Sequence, residues 1–361
     1  MLFLITSFGA VNLYPCSTFM LKNDNTIIIG HNLDMAFDIP GMIVVNKRNI
    51  YKTSISWFEL ISNTKPSTPS ITWTSKYGSI TFNPLGKEFP DGGINEAGLF
   101  IQEMSLQNSV FPDDQTLPKM FMMQWIQYQL DNYSTVNQVI ENISRINLDG
   151  WGWHFMVCDK SGAYATIEFI EGTVKIYNEP IPVLYNSPYP EELQSLKEYQ
   201  PFGGEIKIDL KAKNAPRFVQ AAYMLNTYDP ASEIIDYGFK ILEDLNRGGT
   251  KWSYIIDIEN CTIYFRTSIG IAIKNFSYGH FDFSCDTPAK IIDINLSSAG
   301  DITDKFQSYS NELNHNYVKL GIESVNKGGN MTSMAESQNN TLDQFISSMS
   351  KYSESIVCKK N

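Results

Sequence analysis

Basic residues are in short supply in this 361-residue chain, with 28 Lys and Arg against 39 Asp and Glu and a net charge of -11. No stripe of cations interleaved with aromatics exists to track a phosphate backbone, which argues against nucleic acid as a partner. Histidines number four (His31, His154, His280, His315), and none falls at ligand spacing beside the five cysteines Cys16, Cys158, Cys261, Cys285 and Cys358, which contain no CxxC pair. Neither a zinc site nor a disulfide framework is expected, and the odd cysteine count leaves at least one thiol free. Long apolar runs are lacking too. Residues 2–13 form the one leader candidate, and they fall short of the roughly 20 residues that span a bilayer, so no membrane span is expected. That segment has no cationic start and ends at Tyr14-Pro15, where a lipid-anchored cysteine would need small residues. It fits either a shortened export leader, which puts the processed protein in the periplasm or outside the cell, or a buried first strand of a cytoplasmic chain; the former is preferred.

What is present describes an ordinary globular protein. A content of 43% apolar and 19% charged residues supports one large core and does not require two domains. Residues 16–34 read as a hairpin: a strand over 17–21, a polar turn over 22–25 and a β-branched strand over 26–30, so that Cys16 begins a strand. Further hairpins are predicted over 165–177, turning at Glu171-Gly172, and over 252–267, turning at Glu259-Asn260. Helical patterns run over 119–131, over 136–146 behind the capping box Thr135-x-x-Gln138, over 217–227 and over 231–245. Hairpins pair antiparallel and their apolar faces need cover, so the pattern predicts an α+β architecture of antiparallel sheets sandwiched between helix layers. Beyond Asn295 the chain turns rich in Ser, Asn and Lys, with a linker expected at 327–330. Residues 301–361 therefore read as a polar C-terminal extension whose last thirty or so residues form an appendage.

Cys16 draws attention because of where it stands. A free cysteine usually serves packing. One at a strand start behind a dispensable leader can instead become the chain terminus, where its own α-amine titrates near ~8 and serves as base for the thiol. Such a site needs a carboxylate to orient the amine, donors for an oxyanion and a cation to favour thiolate. Spacing alone does not single these out.

A resemblance does. Cys16-Ser17-Thr18, Gly30-His31-Asn32-Leu33-Asp34 and Asp91-Gly92-Gly93-Ile94-Asn95-Glu96-Ala97-Gly98-Leu99 resemble the opening motifs of the choloylglycine hydrolase family, which comprises bile salt hydrolases, penicillin V acylases and related linear amide hydrolases. The likeness continues through Asp131-Asn132-Tyr133-Ser134-Thr135-Val136, Trp153-His154-Phe155-Met156-Val157-Cys158-Asp159, Leu184-Tyr185-Asn186-Ser187-Pro188 and Ala215-Pro216-Arg217-Phe218. It extends to Thr250-Lys251-Trp252-Ser253 and Thr262-Ile263-Tyr264-Phe265-Arg266-Thr267, so the motifs keep their order from residue 16 to about 295. The resemblance implies the four-layer αββα sandwich of N-terminal-nucleophile hydrolases over residues 16–300, after removal of residues 1–15. It implies Cys16 as nucleophile, Asp34 as the carboxylate holding its amine, Asn186 as an oxyanion donor and Arg217 as the cation. The second oxyanion donor is the backbone N–H at the position of Ser105, where the best-known members carry asparagine or tyrosine. His31 and Asn95 fall in the substrate-binding wall. His31 replaces an arginine common in bile salt hydrolases and penicillin acylases, and an imidazole does not reproduce a fixed bidentate cation. Simple N-acyl amides are therefore expected to be turned over better than glycine or taurine conjugates of bile acids.

Taken singly, the same residues also fit structural roles: Asp34 a strand-end cap, Asn186 and Asn95 turn residues, Arg217 a surface cation at a helix start. The chemistry implied by the resemblance uses neither metal nor other cofactor. Its partner is a small-molecule amide, and a homo-oligomer is compatible with it. The rival readings are acyl transfer on the same fold, or an unprocessed binding protein without catalysis.

Overall fold

The hairpin that follows Cys16 lies inside the first of two large sheets. In this computed structural model, which describes residues 16–24, 26–64, 69–178, 180–329 and 331–359, strand Ser17–Lys22 pairs antiparallel with Ile27–Asp34, Ser17 opposite Asn32 and Thr18 opposite His31. The expected leader over residues 1–15 lies outside the described residues. Every residue of Ile27–Asp34 is buried, because this sheet is covered on both faces. Its order is Val183–Leu184, Ser17–Lys22, Ile27–Asp34, Thr250–Asp257, Thr262–Thr267, Lys274–Ser277 and Gly300–Asp301, with only the last pair parallel.

The second sheet is antiparallel throughout. From edge to edge it runs Thr173–Tyr177, Tyr164–Ile170, Trp153–Cys158, Phe100–Ser105, Gly92–Asn95, Ser79–Asn83, Met42–Asn46, Lys290–Asp293 and Gln307–Ser308. The hairpins at 164–177 and 250–267 form where the alternation and turn residues predict them. The two sheets face each other across one apolar core, with the ring of Phe82 stacked on that of Tyr254 at 4.0 Å between centroids.

Helices Arg217–Asn226 and Ile234–Leu245 cover the outer side of the first sheet. Close approach there depends on Gly238, since a Cβ at that position would stand 2.8 Å from the Ile28 side chain. Helix Met122–Asn132 covers the second sheet and joins a separate apolar cluster with Trp125, Ile126, Phe155 and Ile167. The expected helix over 119–131 thus begins three residues late, because Lys119–Phe121 pairs as a short parallel strand with Asn147–Asp149. The helix expected over 136–146 is α-helical only over Val136–Asn142, with one 3₁₀ turn after it, and Thr135 caps it through its side chain. Helix, sheet, sheet, helix is the resulting order of layers.

Two expectations for the chain's far end need correction. The last thirty or so residues do not hang free as an appendage: helices Met331–Ser337 and Leu342–Glu354 pack with Asn311–Gly328 and press Phe345 and Met349, beside Val318 and Ile322, into the second core. Residues 327 and 328 are the end of a helix rather than a linker, and residue 330 lies outside the described residues. Nor is the chain without a disulfide, which the scattered cysteines did not indicate. Strand Val357–Cys358 pairs antiparallel with Ile50–Thr53, which brings Cys358 to Cys285 in a disulfide spanning 73 residues. Cys16, Cys158 and Cys261 are free. Among the described residues no helix is long and apolar enough to cross a membrane.

Candidate active site

Four separate segments converge at one end of the first sheet. Cys16 stands directly before the first strand of the hairpin and Asp34 ends the second, so the antiparallel pairing of the two strands brings them together. The Cys16 thiol accepts the Asp34 backbone N–H at 3.4 Å and lies 3.8 Å from the Asp34 carbonyl oxygen. On the hairpin's other side Val183–Leu184 pairs with the first strand, Thr18 opposite Leu184. Asn186 Nδ2 donates 2.7 Å to the carbonyl oxygen of Ser105, the last residue of its strand in the second sheet, and so links the two sheets at this end.

The Asp34 carboxylate is gripped from two sides. Thr250 Oγ1 donates to one oxygen at 2.5 Å, and Arg217 Nη1 to the other at 3.2 Å. Thr250 is in position because its strand pairs with Ile27–Asp34, Thr250 opposite Asp34, with a register shift before Trp252. Arg217 is in position because Pro216 stops the preceding segment and opens the helix, leaving Arg217 as its first residue. The guanidinium also sits over the Tyr185 ring, 5.3 Å from its centroid. Burial pushes the Asp34 carboxyl up to about 6 in spite of both donors. Burial likewise raises the Cys16 thiol well above its ordinary value, and the nearby carboxylates of Glu103 and Asp34 add to that. Both effects favour the protonated thiol.

Beside these residues opens a cleft of about 330 Å³ lined by Ser105, Gln107, Tyr185, Asn186, Ser187, Glu192, Arg217 and Phe218. Of the residues named from the sequence, Ser105, Asn186 and Arg217 line this opening, while Cys16 and Asp34 lie buried behind it, Asp34 bonded to Arg217 and Cys16 to the Asp34 backbone. His31 and Asn95 do not join them. The His31 side chain is wholly buried between the sheets, with Nδ1 2.8 Å from Thr18 Oγ1 and its ring 5.1 Å from that of Tyr254, and burial pushes its pKa down to about 3. It faces inward because residues 27, 29, 31 and 33 share the core side of a two-period strand. Asn95 is equally buried: its amide donates to the carbonyls of Leu130 and Tyr133 and accepts the N–H groups of Ala97 and Leu99. It closes a turn and anchors a helix end, and neither residue lines the cleft. Sequence reasoning missed Thr250, Tyr185 and Ser187, which stand inside motifs quoted above, and Glu192, which carries no sequence signal.

The sequence pattern of the linear amide C–N hydrolases, choloylglycine hydrolase family, matches residues 16–297. The chain belongs to that family. Among curated proteins, penicillin V acylase from Pectobacterium atrosepticum is 24% identical over 247 residues, which cover 55% of this chain and 66% of that one. The chain thus spans just under two thirds of that relative's length. Among solved structures, penicillin V acylase from Agrobacterium tumefaciens superposes with a TM-score of 0.70 at 22% identity, covering 82% of this chain and 98% of the other. A variant of conjugated bile acid hydrolase from Clostridium perfringens gives 0.61 at 17%, covering 80% and 99%. At these identities the structures establish the fold, which is that of the N-terminal-nucleophile hydrolases.

Proposed function

We propose that this family member hydrolyses small linear amides with Cys16 as its nucleophile, once residues 1–15 have been removed. The observation that carries the proposal is the chain of contacts from the Cys16 thiol to Asp34 and from Asp34 to Arg217 at the wall of the cleft. The free α-amine of Cys16 takes the thiol proton, and the thiolate sulfur bonds to the amide carbonyl carbon. Asp34 holds the resulting ammonium. Asn186 has two N–H bonds, one spent on the Ser105 carbonyl, and the other points at the oxyanion together with the Ser105 backbone N–H. Collapse breaks the C–N bond, and the ammonium proton goes to the departing nitrogen, leaving an acyl thioester. Water then attacks the thioester with the same amine as base, and the acid and the free thiol are released.

The substrate joins an acyl group to an amine or amino acid, as in simple N-acyl amides. The disulfide between Cys285 and Cys358 supports export into an oxidising compartment. N-terminal sequencing of active protein should read Cys16 first, and Cys16→Ala should abolish turnover with an unchanged circular dichroism spectrum. Full activity in a species that retains residues 1–15, or in Cys16→Ala, would refute the proposal.

A further inference from the structure

The cleft holds two charged side chains, and they are not in the same situation. Arg217 is committed: its guanidinium pairs with Asp34 at 3.2 Å and covers the Tyr185 ring. Glu192 is not. It stands half-buried in the first turn of helix Tyr189–Leu196, where the nearby Ser187 hydroxyl and the Arg217 charge favour its anion, and among the described residues no cation lies within 4.0 Å of it. The other cation near this end, Arg247, donates to the carbonyls of Asp244 and Asn246 and to Gln220, and it does not line the cleft. The position where the sequence suggested a substrate-facing group, His31, is sealed between the sheets and uncharged. A substrate entering the cleft therefore meets a carboxylate with no direct ion pair, which shares the field of Arg217 with the Asp34 that holds that cation at 3.2 Å.

Resting on the hydrolase reading above, we infer that Glu192 selects the amine half of the substrate, favouring amides of diamines or other cationic amines over amides of glycine or taurine. Burial raises the Glu192 carboxyl above its ordinary range, so its anion is poorly solvated and gains more from a bound ammonium than an exposed carboxylate would. A carboxylate or sulfonate in the same place would add a second unsolvated anion.

The test uses three non-cleavable ketones that share one octanoyl-derived chain, with CH₂ in place of the amide nitrogen and an ammonium, a methyl or a carboxylate at the far end. Affinities for the wild-type protein are measured by calorimetry at low salt. The ammonium ligand should bind ~10-fold or more tighter than the carboxylate ligand, and Glu192→Gln should erase most of that ratio. Glu191→Gln, in the same helical turn but exposed, should leave it intact. A purely structural role for Glu192 would change all three affinities together and keep the ratio. Should Glu192→Gln fail to fold, added salt on the wild type must shrink the ratio. Equal or tighter binding of the carboxylate ligand, or a ratio unmoved by Glu192→Gln or by salt, would overturn the inference. Failure to cleave the neutral octanoyl amide would instead sink the hydrolase reading, because the affinity ratio does not depend on turnover.

Discussion

At the residue scale, identity and placement come apart at His31. The motif Gly30-His31-Asn32-Leu33-Asp34 suggested a substrate contact, yet strand alternation turns His31 into the core while the strand's end turns Asp34 toward Cys16 and Arg217. His31 then becomes a stability residue with a definite sign. Burial holds its folded pKa at about 3 against an ordinary 6.5, so below pH 6.5 the unfolded chain takes up a proton that the folded chain refuses. Its contribution is complete above 6.5 and is lost as pH falls toward 3. Asp34 has the opposite sign, its contribution being present at low pH and lost as pH rises through about 6. Comparing variant with wild type cancels it. Urea unfolding at pH 7, 6 and 5 should show His31→Gln losing less stability on acidification than wild type, by up to ~1.4 kcal/mol per pH unit. Parallel pH profiles for the two proteins would contradict the buried, neutral imidazole.

At the scale of elements, what was legible in the sequence was local. The hairpins at 17–34, 164–177 and 250–267 declare themselves through β-branched alternation and turn residues, and the helices at 217–226 and 234–245 through their helical period. Long-range placement was not legible. Thr250 reaches Asp34 only because two strands more than 200 residues apart pair, and no local pattern encodes that. The C-terminal helices were misread for a related reason: their buried faces include Asn314, Gly321, Ser324 and Ser350, so their composition looks solvated although one stripe is core. The segment's end pairs with the strand Ile50–Thr53, and the disulfide ties it to Cys285. A loop of 73 residues is worth about 4 kcal/mol in chain entropy, and measured gains are commonly nearer ~2. Cys285→Ser should therefore lower the unfolding free energy by about 2–4 kcal/mol in denaturant titrations without altering turnover per folded molecule. An unchanged midpoint would mean that the bridge does not form in solution.

At the scale of the whole molecule, the four layers place Cys16 at one end of the first sheet, where the bond from Asn186 to Ser105 ties the two sheets together. Cys16, Asp34, Asn186 and Arg217 could be picked out from motifs, while the cleft and its Glu192 emerge only when the strand Val183–Leu184 docks beside the first strand. The central claim is that Cys16, freed at the chain terminus, carries the acyl group. Active protein mixed with a neutral N-acyl amide, quenched in acid within milliseconds and digested, tests it by peptide mass spectrometry. The account predicts a peptide that begins at Cys16 and bears one acyl group on its sulfur, released by hydroxylamine. An acyl group found on Cys158, Cys261 or any other side chain, or on a peptide that still contains Pro15, would contradict it.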